Sequence, residues 1–440
     1  MFKTHTPDTQ QSFFFSLADT LDHRHPLFTL GEKVDWDALE AAFGKLYHPT
    51  QGRPCKPIRL MAGLLILKHL RNLSDESAVE QWSENAYYQH FCGNAQFTPA
   101  APCDASELTR FRERIGGAGA ELILKESIRV NGKDAGERHV SVDTTVQEKD
   151  VTFPTDAKLH RKVIAGCKEI AKAEGVTPRQ SYTRTLKRIA LDQRFRNHPK
   201  NGKRARRADR RLKTIAGRLV RELERNLPPQ SRWNARLALF KRVLAQKKGD
   251  SGKIYSLHEP EAQCIAKGKE RKKYGSGNKV SITYTKTTGV IVGAMSFRNP
   301  YDGDTLGPAL GQHEALTGAR ALTATGDRGY RGRKEVGGTR IQTPGNGKAG
   351  RGGYAARKLR RACRRRAAIE PVIGHLKSDH RLGRNFLKGV AGDAVNVLLA
   401  AAAFNFKRMM NKWRRLLPVF ASGILRLFMP APFRMNTHAA

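Results

Sequence analysis

The sequence predicts a mixed α/β core that follows a helical region and is interrupted by a basic helical insertion. Three observations carry this prediction. Apolar residues recur at helical spacing from about residue 34 to 115. After Gly136 the pattern switches to strand-like alternation in HVSVDTTV. Helical spacing then returns from about Ala157 to Lys273, in a very basic stretch, before strands resume with KVSITYT.

The first helix is predicted in VDWDALEAAFGKLY, where Trp36, Leu39, Phe43 and Leu46 fall on one face. The breaker QGRPCKP separates it from a more buried helix, IRLMAGLLILKHLRNL. Ser74, followed by Asp75 and Glu76, suits the N-cap and acidic first turn of a third helix running towards Tyr88. Asp104 and Glu107 form a capping box at the start of ASELTRFRERIG. Short helices joined by tight loops, the last carrying Arg110, Arg112 and Arg114, fit either a helix-turn-helix DNA reader or a packing and dimerisation domain.

HVSVDTTV reads as a strand with Val140, Val142 and Thr144 on one face. The insertion has one apolar stripe at Leu212, Ile215, Leu219 and Leu223 and another at Trp233, Leu237, Phe240 and Leu244, predicting a two-helix arm. Its segment HPKNGKRARRADRRLK repels itself unless solvated or laid along phosphates. KVSITYT, the turn KTTG and VIVGAMSF make a hairpin, and DTLGPALGQHEALTG reads as a helix broken near Pro308 at its start. A strand ends at Asp327, another is expected around TRIQT, and PGNGKAGRGGY is a basic glycine-rich loop. That loop is not a nucleotide-binding P-loop, because Ala349 follows Lys348. The expected organisation is a helical DNA-binding or dimerisation domain at 1–130, an α/β core at 131–156 and 274–388, an insertion arm at 157–273, and a C-terminal helical region and tail at 389–440.

With 440 residues, 39% of them hydrophobic, the chain has enough apolar side chains for ordinary cores. Its 80 Lys and Arg against 40 Asp and Glu leave a formal net charge of +40, which points to a polyanion as partner. The six cysteines, Cys55, Cys92, Cys103, Cys167, Cys264 and Cys363, show no C-x-x-C pair, as expected of reduced thiols in the cytoplasm. The N-terminal MFKTHTPDTQQS has no signal-peptide pattern. The longest apolar run, Ala394 to Phe406, is interrupted by Asn396 and Asn405, falls short of the roughly 20 residues of a membrane span, and reads as a buried helix.

Three acids in separate contexts fit one job: Asp143 in a strand, Asp327 at a strand end, and Glu370 in the basic segment RRACRRRAAIEPVIGHLK. Two Mg²⁺ ions about 3.5 to 4 Å apart activate the attacking oxygen and stabilise the leaving one in phosphodiester chemistry. Mg²⁺ and Mn²⁺ both accept carboxylate ligands, so no His or Cys cluster is required. In a continuous helix, Cys363, Arg366, Glu370 and Lys377 fall within a sector of about 60°. Arg366 and Glu370 also suit a plain exposed i, i+4 ion pair of about 0.3 to 0.5 kcal/mol. Asp150, Asp156, Asp302 and Asp304 keep the choice of second carboxylate open on spacing alone. Arg328 and Arg331, beside Asp327, suit phosphate contacts or an exposed turn, while His375 and His380 suit surface or DNA-facing positions better than metal ligation.

The strings NPYDGDTLGPAL, TATGDRGYRG and IEPVIGHLKSDHRLGRNFLKG resemble those of bacterial insertion-sequence DDE transposases. The GRP-containing segment with LRNLSDESAVEQWSEN and LTRFRERIG is similar to that family's N-terminal helical domain, so the likeness reaches to about Trp413. The resemblance implies an RNase H-like mixed-sheet catalytic core with a metal-binding triad at Asp143, Asp327 and Glu370, holding two Mg²⁺ or Mn²⁺ ions. Related transposases carry a Tyr-x-x-Arg-x-x-x-Glu-x-x-x-x-x-x-Lys signature whose basic members contact DNA ends, and Arg366, Glu370 and Lys377 match it. Cys363 stands where that signature has Tyr, which puts an aromatic contact to a base there in doubt. The implied partners are double-stranded DNA, as terminal inverted repeats and target, and a second copy of the chain in the DNA complex. No membrane is involved. The rival readings are a DNA-binding regulatory remnant without catalysis and an RNase H-like nuclease without strand transfer.

Overall fold

Several of the helices begin where the chain supplies side-chain acceptors for otherwise unpaired N–H groups. In the computed structural model, residues 16–247, 249–266, 274–344, 353, 357, 361 and 363–428 are described, with backbone alone from 416 onward. The loop PGNGKAGRGGY, apart from Pro344 and Gly353, and the tail 429–440 lie outside them. The chain forms two units, one of Met1–Thr145, Val280–Leu387 and Ala391–Ala440, the other of Val146–Lys279 and Lys388–Val390.

The first unit opens with helices α1 (Leu17–Thr20), α2 (Pro26–Lys33), α3 (Trp36–Gly44), α4 (Ile58–Leu70), α5 (Asp75–Glu84), α6 (Ala86–Phe91) and α7 (Ala105–Asn131). Asp35, Ser74 and Asp104 cap α3, α5 and α7 through their side-chain oxygens. The third predicted helix is in fact α5 and α6. Asn85 takes an extended conformation between them, and its Oδ1 accepts from Tyr88 N at 3.1 Å, starting the new helix. All of α4 except Arg59 is buried, as its apolar sequence requires.

Strand β1 (His139–Lys149) pairs in parallel with β5 (Thr323–Thr325), placing Ser141 opposite Thr325. β5 in turn pairs in parallel with β7 (Thr339–Gln342), which pairs antiparallel with β6 (Glu335–Val336). On the other side of β1 lies β3 (Tyr274–Thr285), followed by β4 (Ile291–Phe297). The sheet is therefore mixed. Helix α12 (Asp302–Thr317) packs on β4 and starts six residues before Pro308. With Asp302 and Asp304 in its first turn, it runs through the proline instead of breaking there.

Further on come α13 (Ile369–Asp379), the short β8 (Arg384–Asn385) beside β1, and α14 (Gly389–Phe428). The run from Ala394 to Phe406 lies in α14 and is largely buried, as expected. By length and composition Gly389–Arg415 could cross a membrane, yet 67% of its most apolar window is buried within the protein. Asn405 is fully buried and acts as a polar clamp. Its Oδ1 accepts from Ile291 N at 2.9 Å, and its Nδ2 donates to Ile291 O at 2.8 Å and to Ser127 Oγ at 3.0 Å.

One apolar core joins α2–α7, the sheet and α14, running from Leu27 through Ile123, Val142 and Ile282 to Phe406. The described helices α2–α7 share this core with the sheet. They bury their apolar faces against it.

The second unit has its own core, built from α8 (Asp156–Ala173), α9 (Thr183–Asp192), α10 (Gly202–Asn226) and α11 (Asn234–Ala245). The predicted two-helix arm thus has four helices. Leu159, Val163, Cys167 and Ile170 form the additional stripe on α8 that packs against α10. β2 (Gln263–Ala266) pairs antiparallel with the first residues of β3, Gln263 opposite Gly277. The unit also begins earlier and ends later than 157–273, because the end of β1 and the start of β3 belong to it. A Cβ on Gly277 would sit 1.9 Å from Gln147 O, so only glycine allows that approach of the two backbones.

Candidate active site

Asp143 lies mid-way along β1, and Asp327 lies two residues beyond the end of β5. Since Ser141 faces Thr325 in the parallel pair, both acids sit two positions past a matched register point. Asp327 is fixed locally. Its Oδ1 accepts from Gly329 N at 2.8 Å, capping the 3-10 turn Arg328–Tyr330. A Cβ on Gly326 would sit 2.5 Å from Cδ2 of Tyr330, so the glycine allows that ring to close over the turn.

Asp143 is largely buried, with 15% of its side chain exposed, and Arg366 Nη1 approaches its Oδ2 at 3.3 Å. Thr144 N donates to its Oδ1 at 2.9 Å. Burial pushes its carboxyl up to about 6. The Arg366 guanidinium opposes this, the negative charges of Asp327 and Asp302 add to it, and the Thr144 N–H opposes it again. The two acids are thus electrostatic neighbours.

Asp302, at the start of α12, joins them. Its Oδ1 accepts from Thr144 Oγ1 at 2.9 Å, and its Oδ2 would lie 2.7 Å from a Cβ on Gly329, where Asp327 Oδ1 would lie at 3.0 Å. From sequence, Asp302 was one of several alternative acids. Only the start of α12 at Asp302 marks it out.

Glu370 is not hydrogen-bonded to this group. It is exposed, and it makes no side-chain hydrogen bond or ion pair among the described residues. The single helix expected to align Cys363, Arg366, Glu370 and Lys377 is interrupted. Residues 363–366 are helical, 367 and 368 form a turn, and α13 starts at Ile369. Pro371 explains the break, since it donates no N–H and its ring crowds the carbonyl four residues back, at Ala367. That proline was the overlooked signal. Arg366 and Lys377 still reach β1 from either side of the break, Arg366 at Asp143 and Lys377 Nζ at Thr145 Oγ1, 2.6 Å away.

Among the described residues no three His, Cys, Asp or Glu side chains stand close enough to enclose a metal ion. The Asp143–Asp327 pair nevertheless fits a hard divalent cation, which takes one or two carboxylates and completes its shell with water and phosphate. Two observations support the fit. Asp143 has drawn a cation, Arg366, to itself, and Nε of that arginine is buried without a hydrogen-bond partner.

The remaining basic candidates divide. Arg328 is exposed, and Arg331 is half-buried with Nη2 on Pro344 O at 3.1 Å. Arg110 is exposed on α7 and borders a hollow together with Arg53, Lys56 and Arg114. Arg112, expected to contact DNA, is instead buried, and its two Nη atoms fork onto Asp75 at 3.0 and 3.1 Å. Lys68 Nζ shares that carboxylate at 2.6 Å. At helical spacing Arg110 and Arg112 point to different faces, and only Arg110 faces solvent. His380 is likewise buried, with Nδ1 3.0 Å from His69 O, whereas His375 is exposed beside Asp379.

Residues 15–114 match a family described as Transposase domain (DUF772), and residues 348–410 match one described as Transposase DDE domain. The second match takes in Glu370, α13 and the first half of α14, while Asp143 and Asp327 lie outside both. The uncharacterized protein ORF8 in the nfe locus of Rhizobium meliloti is 43% identical over 176 residues, which is 39% of this chain and 84% of that protein. No solved structure matches. Two transposase domains, one on the N-terminal helices and one on the helix that carries Glu370, place the chain in the insertion-sequence DDE transposase family.

Proposed function

We propose that this transposase binds the terminal inverted repeats of its own element, cuts DNA at their ends and joins the freed 3′-hydroxyls to target DNA on an RNase H-like core. The observation that carries the reading is the half-buried Asp143–Asp327 pair, each acid two positions past the Ser141–Thr325 register point, with Arg366 held against Asp143. Asp143, Asp327 and Glu370 are the residues that would hold Mg²⁺ or Mn²⁺. A bound pair of such ions supplies activation of the attacking oxygen and charge stabilisation of the leaving one.

Asp143 and Asp327 are preorganised by backbone N–H donors, from Thr144 and Gly329 respectively. Glu370 would be the third carboxylate, as the Arg-x-x-x-Glu-x-x-x-x-x-x-Lys signature formed with Arg366 and Lys377 implies. Arg366, which pairs with Asp143 here, would turn to a DNA phosphate when the site is occupied. Lys377, Arg328 and Arg331 steady the backbone near the cut, and Arg110 serves the end-binding helices. Joining two ends at once calls for a homodimer in the DNA complex.

The test is nicking of duplex DNA carrying the element's ends, in Mg²⁺, by wild-type protein and by Asp327→Asn. The variant should lose activity by on the order of 10³. Equal nicking by both would end the catalytic assignment. Products joined to a target plasmid would separate a transposase from a nuclease without strand transfer.

A further inference from the structure

The insertion carries a cationic surface that the catalytic reading does not use. Helix α10 has ten Lys and Arg and three acids. Its buried residues, among them Ala205, Leu212, Ile215, Leu219 and Leu223, cover one face and pack into the insertion's own core. On the opposite face, Lys203, Arg206, Arg207, Arg210, Lys213 and Arg221 fall within an arc of about 120°, and all six are exposed. From Lys203 to Arg221 the stripe is about 27 Å long.

None of these six cations has an ion-pair partner among the described residues. The acids of α10 are already engaged. Asp209 pairs with Arg196, Glu222 accepts from Arg179 N at 2.7 Å, and Glu224 pairs with Lys241 at 2.8 Å. Like charges spaced i, i+4 along the stripe, such as Arg206 and Arg210, destabilise the free helix by about 0.2 to 0.5 kcal/mol per pair. Their placement therefore serves something outside the unit.

The shape of the surface agrees. Arg210, Lys213, Thr214, Gly217, Arg221 and Lys241 border a groove of about 820 Å³ between α10 and α11. A Cβ on Gly217 would lie 3.3 Å from Arg221 Nη1, so the glycine leaves room for that guanidinium to lie back over the helix. The stripe has no aromatic side chain for stacking bases. It offers charge and hydrogen-bond donors in a row, which suits a phosphate backbone and reads no sequence.

We propose that the exposed face of α10 is a sequence-independent track for the backbone of duplex DNA, separate from the acid pocket. Duplex DNA carries one charge per about 1.7 Å, so a stripe of this length meets several phosphates at once. The proposal rests on DNA being the chain's polyanion, and the experiment separates failure of that reading from failure of this one.

Full-length protein is titrated with a random-sequence duplex, free of element ends, by fluorescence anisotropy between 50 and 200 mM KCl. The variant Arg206→Gln, Arg210→Gln, Lys213→Gln, Arg221→Gln is compared with wild type. A matched variant, Lys158→Gln, Lys168→Gln, Lys172→Gln, Lys187→Gln, removes the same charge from α8 and α9. The log-log salt slope should shrink by about 3.6 for the α10 variant, at about 0.9 per lost phosphate contact, and by less than about 1 for the other. Equal slopes for wild type and the α10 variant, or equal losses in both variants, would overturn the track while leaving the catalytic reading intact. Absence of salt-dependent binding by wild type would overturn both. Unchanged DNA binding with loss of the dimer in sedimentation would make the stripe a protein interface and overturn the assignment. If the fourfold variant fails to melt cooperatively by circular dichroism, the pair Arg210→Gln, Arg221→Gln decides, with an expected slope loss of about 1.8.

Discussion

Replacing Asp143 by Asn should make the metal-free protein more stable at pH 8, although it removes a residue of the candidate site. The folded protein holds the Asp143 proton up to about pH 6 instead of the ordinary 3.8, chiefly because burial disfavours the carboxylate. A raised acid means that stability is fully present below the unfolded pKa and is lost as pH rises through the folded one. The loss grows between about pH 4 and pH 6 and is complete above that window. At about 1.36 kcal/mol per unit of pKa, a rise from 3.8 to about 6 corresponds to about 3 kcal/mol. Only 15% of the Asp143 side chain is exposed, so solvent screening removes little of this. Asn keeps an acceptor for Thr144 N and shape for its neighbours, and the attraction of Arg366 is already included in the net rise. Thermal melts in EDTA should show the variant several degrees more stable at pH 8, with the difference vanishing towards pH 4. Saturating Mg²⁺ should then stabilise wild type and leave the variant unmoved. A variant no more stable than wild type in EDTA at pH 8 would refute the claim that ionising this carboxyl costs folding energy.

Arg112→Ala should lower stability by about 3 to 5 kcal/mol, since it strips a buried carboxylate of its forked partner. An unchanged melting temperature would return Arg112 to the surface. Gly326→Ala should cost about 1 to 3 kcal/mol and reduce nicking as well, because the new methyl drives Tyr330 out of the turn that fixes Asp327. A neutral effect in both assays would show that the turn is not rigid. Glu370→Gln should abolish nicking at the element ends while leaving the melting temperature unchanged, as its exposed side chain has no folding partner. Wild-type nicking by that variant would remove Glu370 from the triad.

Elements whose own residues specify them could be read from sequence. HVSVDTTV became β1, KVSITYT with VIVGAMSF became the β3–β4 pair, and the caps at Ser74 and Asp104 start helices as expected. Tertiary context governed the rest. β6 and β8 have two residues each, too few for any period to show, and β2 is defined by pairing with β3. β5 stops at Thr325, so Asp327 stands on a turn beyond the strand it was expected to end. The partnership of Asp302 with Thr144 links residues 158 positions apart, which no local pattern reports. The break ahead of Glu370 was written in Pro371, and the helical-face arithmetic passed over it because it counted positions without testing backbone donors.

Asn405 was legible only as a flaw in an apolar run, yet its amide engages both backbone groups of Ile291 on β4. One side chain there imitates the next strand and seals an outer margin of the sheet. A frameshift upstream of that codon would therefore do more than delete a helix. It would bare a ready-made docking rail, and the truncated product would be prone to stack with its own kind.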